Sequence, residues 1–338
     1  MEQKALQIGA AALAMALLLR IGSTEGAASR ELARTLVFLG SGRLVTETVP
    51  LEEEEIPTLQ TQPATAPTTS PTTPPTEQTL PTEPAEESPA VPTFGKSDLN
   101  SVQVNASWSV DTLSLLRKPL SWELRAEKPT VLILHTHGTE SYEKEPGYRE
   151  TSPYRTLDTD YNLVSVGSAV ADILEKGGIR VIHDTTLHDY PSYNAAYSNA
   201  RKTIKKHLKA NPSILLVLDL HRDAAEGSDG RQTRTAVTID GEKTAQLMLV
   251  MGSDKGSLSY PNWEKNLSLA VKLQAQLESS HPGLCRPIKL ASKRYNQDLC
   301  PGTLLVEVGT AGDTHREALN GAKYLAEAIL ALANGANH

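Results

Sequence analysis

The sequence predicts an α/β fold: a single three-layer domain with a mostly parallel central sheet of about six strands and helices on both faces. Continuous apolar runs, typical of strands buried on both faces of a parallel sheet, alternate along the chain with runs of helical period. This alternation occupies only residues 128–335 of the 338. A stretch of that length is common for a single α/β unit.

Six apolar runs predict the strands of the sheet. They lie at residues 130–134, 179–183, 214–220, 236–240, 247–251 and 304–308. We expect the fourth and fifth runs to form a hairpin around Gly241, because glycine suits a tight turn between strands.

Helices are predicted between these strands, at residues 160–175, 192–209 and 262–280, and after the last strand. In the first helix the apolar residues repeat on one face, and Gly177-Gly178 ends it. In the last helix, Thr314 and Glu317 form the pattern of a capping box.

The N-terminus predicts export. Residues 5–19 are apolar except for Gln7, and Lys4 and Arg20 flank them. Because a full membrane span usually needs about 20 residues, this run is either the apolar region of a signal peptide or a short signal anchor. We favour an anchor or transmembrane segment at 1–27, followed by a juxtamembrane segment at 28–50. Small residues at 26–28 leave cleavage as the alternative.

Residues 51–96 predict a disordered linker. They are rich in Pro, Thr and Glu, as in PATAP at 63–67 and PTTPP at 71–75. Such a composition buries too little surface to offset chain entropy, and proline keeps it extended. A lead-in at 97–127 then joins this linker to the domain.

Composition excludes some classes of function. The formal net charge is -7, without the clustered Lys and Arg that a nucleic-acid partner requires. The two cysteines, Cys285 and Cys300, are too few for a disulfide scaffold or a structural zinc site. They could close a loop as a disulfide if their Cα atoms lie close enough.

Three strands end in residues that can hold or use a metal ion. The first runs into HTHGTE at 135–140, the third into DLHRD at 219–223, and the last carries Glu307. A catalytic zinc ion takes three protein ligands and keeps a fourth position open for water. His137, Glu140 and His221 would supply the three ligands. His135 could replace His137 or support it, and Glu307 would act as the general base.

The domain resembles the stage II sporulation protein P family. The matching segments are HTHGTESY at 135–142, YRTLD at 154–158 with Asn162, DLHRDA at 219–224, MGSD at 251–254, YNQDL at 295–299 and LVEVGT at 305–310. The resemblance implies a zinc-dependent N-acetylmuramoyl-L-alanine amidase that also cleaves stem-peptide crosslinks of peptidoglycan. It further implies a sheet of about six strands like that of the zinc amidases.

The same resemblance implies where and with what the protein works. It points to a single-pass anchor in the mother-cell membrane, with the catalytic domain outside the cytoplasm. It also implies work with stage II sporulation proteins D and M in septal thinning and engulfment. The competing interpretations are another exported zinc peptidase or deacetylase, and a non-catalytic wall-binding scaffold for other enzymes.

Residues carried over from the family pattern are His137 and His221 as zinc ligands and Glu307 as the catalytic base. The expected third ligand is Glu140, favoured by its closeness to His137. The alternative is Asp158, which lies four residues ahead of Asn162 as in the zinc amidases. Arg155 is expected to pair with Asp158 or to hold a carboxylate of the stem peptide. The expected substrate contacts are Arg155, Asp158, Asn162 and Asn296.

Overall fold

The computed structural model describes residues 94, 101–120 and 122–335. All of them belong to the unit Thr82–His338. The predicted anchor at 1–27, the juxtamembrane segment at 28–50 and, apart from residue 94, the linker at 51–96 lie outside the described residues. Among the described helices, none has both the length and the apolar character needed to cross a bilayer.

The strands of the main sheet are, among the described residues, β1 Val104–Asn105, β2 Val131–Leu134, β3 Val181–His183, β4 Leu216–Asp223, β7 Leu247–Gly252, β8 Ile288–Ala291 and β9 Thr303–Thr310. These seven strands lie in the order β1–β8–β7–β9–β4–β2–β3. A separate pair contains β5 Val237–Ile239 and β6 Glu242–Thr244. The α/β class is thereby confirmed, and the sheet has seven strands where the sequence predicts about six.

Strand direction changes once across the sheet. β9, β4, β2 and β3 run parallel to one another, as do β7, β8 and β1, and the two groups meet where β7 lies antiparallel to β9. The sheet is therefore mostly parallel, as predicted. The carboxyl ends of β2, β4 and β9 meet at one edge, which is where ligand sites lie in open α/β sheets.

The predicted hairpin has a different partner from the one expected. Asp240 and Gly241 both have positive φ, at 51° and 83°, and they join β5 to β6 rather than to the strand at 247–251. A two-residue Asp-Gly turn closes a hairpin on the residues that follow it directly. The wholly buried β7 is instead flanked on both sides by β8 and β9.

Within the part of the chain that the structure describes, five helices flank the sheet. Their bounds are α1 Thr112–Arg117, α2 Leu163–Lys176, α3 Ala196–Ala210, α4 Trp263–Ser280 and α5 His315–Ala333, with short 3-10 turns at Tyr193–Ala195 and Gln297–Leu299. Thr314 and Glu317 form the predicted capping box at the start of α5. The elements β1, α1, β6 and β8 were not predicted, because their segments carry neither a continuous apolar run nor enough turns to display a helical period.

Both faces of the sheet are covered. Along β2, Val131 and Ile133 pack in the large cluster with α2, α4 and α5, whereas Leu132 and Leu134 pack with α3 on the other face. Successive side chains of a strand point to opposite faces, so a strand covered on both sides is apolar throughout. Residues of the predicted lead-in also join the large cluster, among them the buried Leu116 and Leu124.

We predict that Asn266→Ala will lower the free energy of unfolding by about 3 kcal/mol, because it leaves several buried polar groups without a hydrogen-bond partner. In α4 its Nδ2 donates to the Gln297 carbonyl at 2.8 Å, and its Oδ1 accepts from the Gly302 N–H at 2.6 Å. Urea unfolding would measure the change. The control, Asn320→Ala, loses one exposed hydrogen bond, from Asn320 Nδ2 to the Lys243 carbonyl. We expect it to lower the free energy of unfolding by less than about 1 kcal/mol. Equal costs in the two variants would contradict the prediction.

Candidate active site

The edge shared by β2, β4 and β9 brings together four of the residues predicted from the sequence. His221 on β4 is the register partner of Glu307 on β9. The rings of His137 and His221 lie edge to face, with centroids 5.4 Å apart. Glu140 Oε2 is 3.8 Å from His221 Nδ1. The predicted convergence of two histidines and two carboxylates is therefore what the structure contains.

A tight turn after β2 returns Glu140 to the site. The Glu140 N–H donates to the His137 carbonyl at 3.0 Å, which folds the intervening residues back. Its carboxylate is buried and held by two arginines. Oε2 accepts from the Arg222 backbone N–H at 3.3 Å, and Oε1 accepts from Arg155 Nη2 at 3.3 Å. Both oxygens are thus directed before any ligand binds.

Two tyrosines line the histidines. Tyr193 stacks on His137 with ring centroids 4.5 Å apart, and the Arg155 guanidinium lies 4.7 Å from the centre of the Tyr193 ring. Tyr197 on α3 lies 5.6 Å from His137 and 6.4 Å from His221 between ring centroids. These rings shield the imidazoles from water, which strengthens the electrostatic interactions among the buried groups.

Two buried aspartates near the histidines were missed by the sequence analysis. Asp219 Oδ1 lies 3.0 Å from His221 Nε2, outside hydrogen-bond direction, and Asp189 Oδ2 lies 3.9 Å from His137 Nδ1. Asp219 belongs to a segment that the sequence analysis had singled out, but no role was assigned to it. Asp189 lies in the connection between β3 and α3, where no periodic pattern marks it.

The two histidines differ in charge at neutral pH. Burial, and then the neighbouring His221, lower the pKa of His137 to about 4. Burial also opposes charge on His221, but Asp219, Glu307 and Glu140 outweigh it and raise the pKa of His221 to about 9. A metal ion would therefore have to displace a proton from His221, since imidazole coordinates in its neutral form.

Glu307 is suited to proton transfer. Burial, opposed by His221 and supported by Glu140, raises the pKa of Glu307 to about 8. A carboxyl group that titrates near neutral pH can both accept a proton and return it. Its Oε2 is buried without a hydrogen-bond partner.

The donor set fits a zinc ion. His221 Nδ1 lies 3.8 Å from Glu140 Oε2, and within the described residues neither this nitrogen nor His137 Nε2 is occupied by a hydrogen bond. Imidazole nitrogens with a carboxylate are the ligands of catalytic zinc. Across residues 94, 101–120 and 122–335, however, no three His, Cys, Asp or Glu side chains are already gathered closely enough to hold a metal.

The two alternative ligands, His135 and Asp158, make other contacts. His135 has both ring nitrogens occupied, since Nε2 lies 2.9 Å from His183 Nε2 and Nδ1 lies 3.3 Å from the Leu220 carbonyl. Asp158 is exposed, and its Oδ1 accepts from the Asp160 N–H at 3.1 Å.

The expected substrate contacts are engaged within the protein. Arg155 pairs with Asp189 at 2.8 Å and with Glu140, rather than with Asp158 as one alternative had it. Asn162 is buried and caps α2, where its Oδ1 accepts from the Val164 N–H at 2.9 Å. Substrate contact by these residues stays a prediction.

Neither cysteine forms a disulfide within the described residues. Cys285 is partly buried and Cys300 is buried, and burial raises the pKa of both thiols. The disulfide that the sequence left open is therefore absent from this fold.

The loop that carries Tyr295 is tied to α3 beside the site. Tyr295 lies 6.2 Å from Tyr197 between ring centroids. Asn296 Nδ2 donates to the Tyr197 carbonyl at 2.9 Å, and its backbone φ is 57°. Arg201 on α3 holds Asp298 through two bonds of 2.9 and 2.7 Å. Asn296, expected to contact substrate, is thus largely buried and joins this loop to the helix.

The family described as stage II sporulation protein P matches residues 47–330 of the chain. Stage II sporulation protein P of Bacillus subtilis (strain 168) is 29% identical over 213 residues, which cover 60% of this chain and 50% of that protein. The chain thus spans about half the length of the curated relative that it matches.

Solved structures of N-acetylmuramoyl-L-alanine amidases are also similar. The amidase from Clostridium difficile 630 has a TM-score of 0.37 at 16% identity, covering 61% of this chain and 95% of its own. AmiC2 of Nostoc punctiforme has a TM-score of 0.35 at 13% identity, covering 60% and 94%. These scores are too low to assign an activity.

We predict that Arg201→Met will destabilise the protein by about 2 kcal/mol at neutral pH, because it removes the charged donor from Asp298. Burial alone would raise the pKa of Asp298, but Arg201 holds it below the ordinary 3.8. The ion pair between Arg201 and Asp298 therefore contributes its full stabilisation of the fold above pH 3.8. This stabilisation is lost as the pH falls through the lowered pKa of Asp298.

Urea unfolding from pH 7 to pH 3 would measure this difference. We expect the gap between the variant and the unmutated protein to shrink at the acid end. Lys323→Met, which removes an exposed ion pair with an N–O distance of 3.9 Å to Glu327, should change stability by less than about 0.5 kcal/mol. A gap for Arg201→Met that stays constant down to pH 3 would refute the pairing.

Proposed function

The chain belongs to the stage II sporulation protein P family, and we propose that it is a zinc-dependent hydrolase of peptidoglycan. The observation that carries this proposal is the pairing of two buried histidines, with rings 5.4 Å apart, beside Glu307, whose Oε2 atom is buried. A binding module has no need for a carboxyl group whose pKa is raised toward neutrality beside two metal-binding side chains.

We assign the zinc ligands as His137, His221 and Glu140. The position of Glu140 Oε2, 3.8 Å from His221 Nδ1, favours Glu140 over the exposed Asp158. When bound, zinc polarises the scissile carbonyl and lowers the pKa of a water molecule. The choice of zinc follows from the mixed nitrogen and oxygen donors.

Glu307 is the proposed general base. It accepts a proton from the attacking water and returns that proton to the departing nitrogen, so that the C–N bond breaks as a new C–O bond forms. Tyr193 and Tyr197 keep bulk water away from the histidines. Arg155 and Arg222 fix the carboxylate of Glu140.

The proposed substrate bond is the amide between N-acetylmuramic acid and L-alanine, with stem-peptide crosslinks as a second target. The bond would be cut in septal thinning and engulfment during sporulation. The proposal includes a single-pass anchor at residues 1–27 that holds the catalytic domain outside the cytoplasm. It also includes stage II sporulation proteins D and M as partners, together with peptidoglycan itself.

We predict that the full chain will release stem peptides from purified peptidoglycan in a zinc-dependent manner, and that His221→Ala will abolish both release and zinc binding. Mass spectrometry of the products and measurement of bound zinc would test this. His281→Ala is the matched control, since His281 contacts Tyr324 and Asp240 outside the site.

Other outcomes would contradict the proposed site or support a different function. Undiminished cleavage by His221→Ala would refute the metal site. Release of acetate, or of crosslink fragments alone, would indicate a deacetylase or a peptidase. Tight wall binding without cleavage by any variant would favour the scaffold.

We predict that Glu307→Gln will lower kcat by about 10²- to 10⁴-fold while zinc remains bound, because the amide cannot accept the proton. Steady-state hydrolysis and metal content would be measured on the same samples. Glu175→Gln, on an exposed residue of α2, should leave both unchanged. Full activity of Glu307→Gln would remove Glu307 from the reaction, and loss of zinc would make it a ligand instead.

A further inference from the structure

Each of the two candidate ligand histidines has a buried aspartate near one of its ring nitrogens. The side chain of Asp189, near His137, has 0% of its surface exposed, and that of Asp219, near His221, has 1%. Neither aspartate has a part in the proton transfer proposed for Glu307. A charge buried this completely is costly unless it is paired and hydrogen-bonded.

His221 has different carboxylates at its two nitrogens. Nε2 lies 3.0 Å from Asp219 Oδ1, close enough for a hydrogen bond but outside its direction, and Nδ1 lies 3.8 Å from Glu140 Oε2. Asp219 is fixed from behind, since its oxygens accept from the Thr136 N–H at 2.8 Å and the Thr136 hydroxyl at 2.6 Å. The nitrogen directed toward the proposed ligand Glu140 is therefore Nδ1.

His137 has the opposite arrangement. Its Nδ1 faces Asp189 Oδ2 at 3.9 Å and has no hydrogen-bond partner. A hydrogen bond between them requires the two atoms to approach by about 1 Å. With Nδ1 directed to Asp189, Nε2 is the nitrogen left for a metal.

Asp189 is held rigidly enough to direct a ring. Its oxygens accept from the Thr139 N–H at 3.2 Å, from the Thr139 hydroxyl at 2.6 Å and from Arg155 Nη1 at 2.8 Å. Arg155 also bonds Glu140 and lies against Tyr193, which stacks on His137. One guanidinium thus joins the carboxylate near His137 to the proposed carboxylate ligand.

We propose that Asp189 and Asp219 are positioning residues that fix opposite tautomers of the two histidines. Zinc then binds Nε2 of His137 and Nδ1 of His221. This inference rests on the zinc site of the proposed function. The carboxylate partner of a ligating imidazole orients the ring and raises its basicity, and its loss typically weakens metal affinity 10- to 100-fold.

The first test measures the zinc dissociation constant of the full chain by competition with a chromophoric chelator. We expect Asp189→Asn to weaken zinc binding by about 10- to 100-fold, with the melting temperature showing that the variant is folded. Asp184→Asn is the matched control, because Asp184 lies 2.8 Å from His207 Nε2 in an aspartate–histidine pair outside the site. Unchanged zinc affinity in folded Asp189→Asn would overturn the inference.

The second test uses the unmutated protein, so its result does not depend on whether a variant folds. In the zinc-loaded protein labelled with ¹⁵N, long-range proton–nitrogen spectra distinguish a coordinated ring nitrogen from a protonated one. We expect Nε2 of His137 and Nδ1 of His221 to be coordinated, with the other nitrogen of each ring protonated. Coordination through Nδ1 of His137 or Nε2 of His221 would overturn the assignment.

These outcomes separate the inference from the proposed function. If His137→Ala binds zinc as tightly as the unmutated protein, the zinc site itself fails. If His137→Ala loses zinc while Asp189→Asn keeps full affinity, the site stands and only the positioning role fails.

Discussion

Burial of ionisable groups at the edge shared by β2, β4 and β9 is the constraint on which the site depends. Away from water a carboxylate or an imidazolium is stable only beside a partner of suitable charge. Burial raises the pKa of Glu307 and lowers that of His137, while the neighbouring acidic groups, Asp219 first, outweigh burial and raise the pKa of His221. The same low polarity that makes these groups costly also moves their pKa values away from the ordinary ones.

The loops around this edge satisfy that constraint. The turn after β2 places Glu140 between Arg155 and Arg222, and the connection before α3 brings Asp189 to Arg155 and Thr139. Removing one member would leave the others buried without their partners, so the network is expected to behave as a unit. The tyrosines that line the histidines complete the enclosure.

The sheet provides the rigid base. β4 and β9 are both eight residues long and share a register that sets His221 beside Glu307. Side chains on paired central strands are held by the backbone ladder and by packing on both faces, which fixes their separation better than loops can. The antiparallel junction between β7 and β9 changes strand direction beyond these strands without disturbing that pairing.

The sequence by itself determined the α/β class, the central strands, the four long helices and the convergence of the two histidines with Glu307. It could do so because apolar runs and residues at strand ends are local signals. Tertiary structure alone decided that β6 rather than β7 pairs with β5, that Arg155 bonds Asp189, and that His135 bonds His183. The two side-chain contacts join residues that are 34 and 48 positions apart in the sequence. The pairing of β5 depends on which strands compete for its edge. No local sequence pattern encodes either.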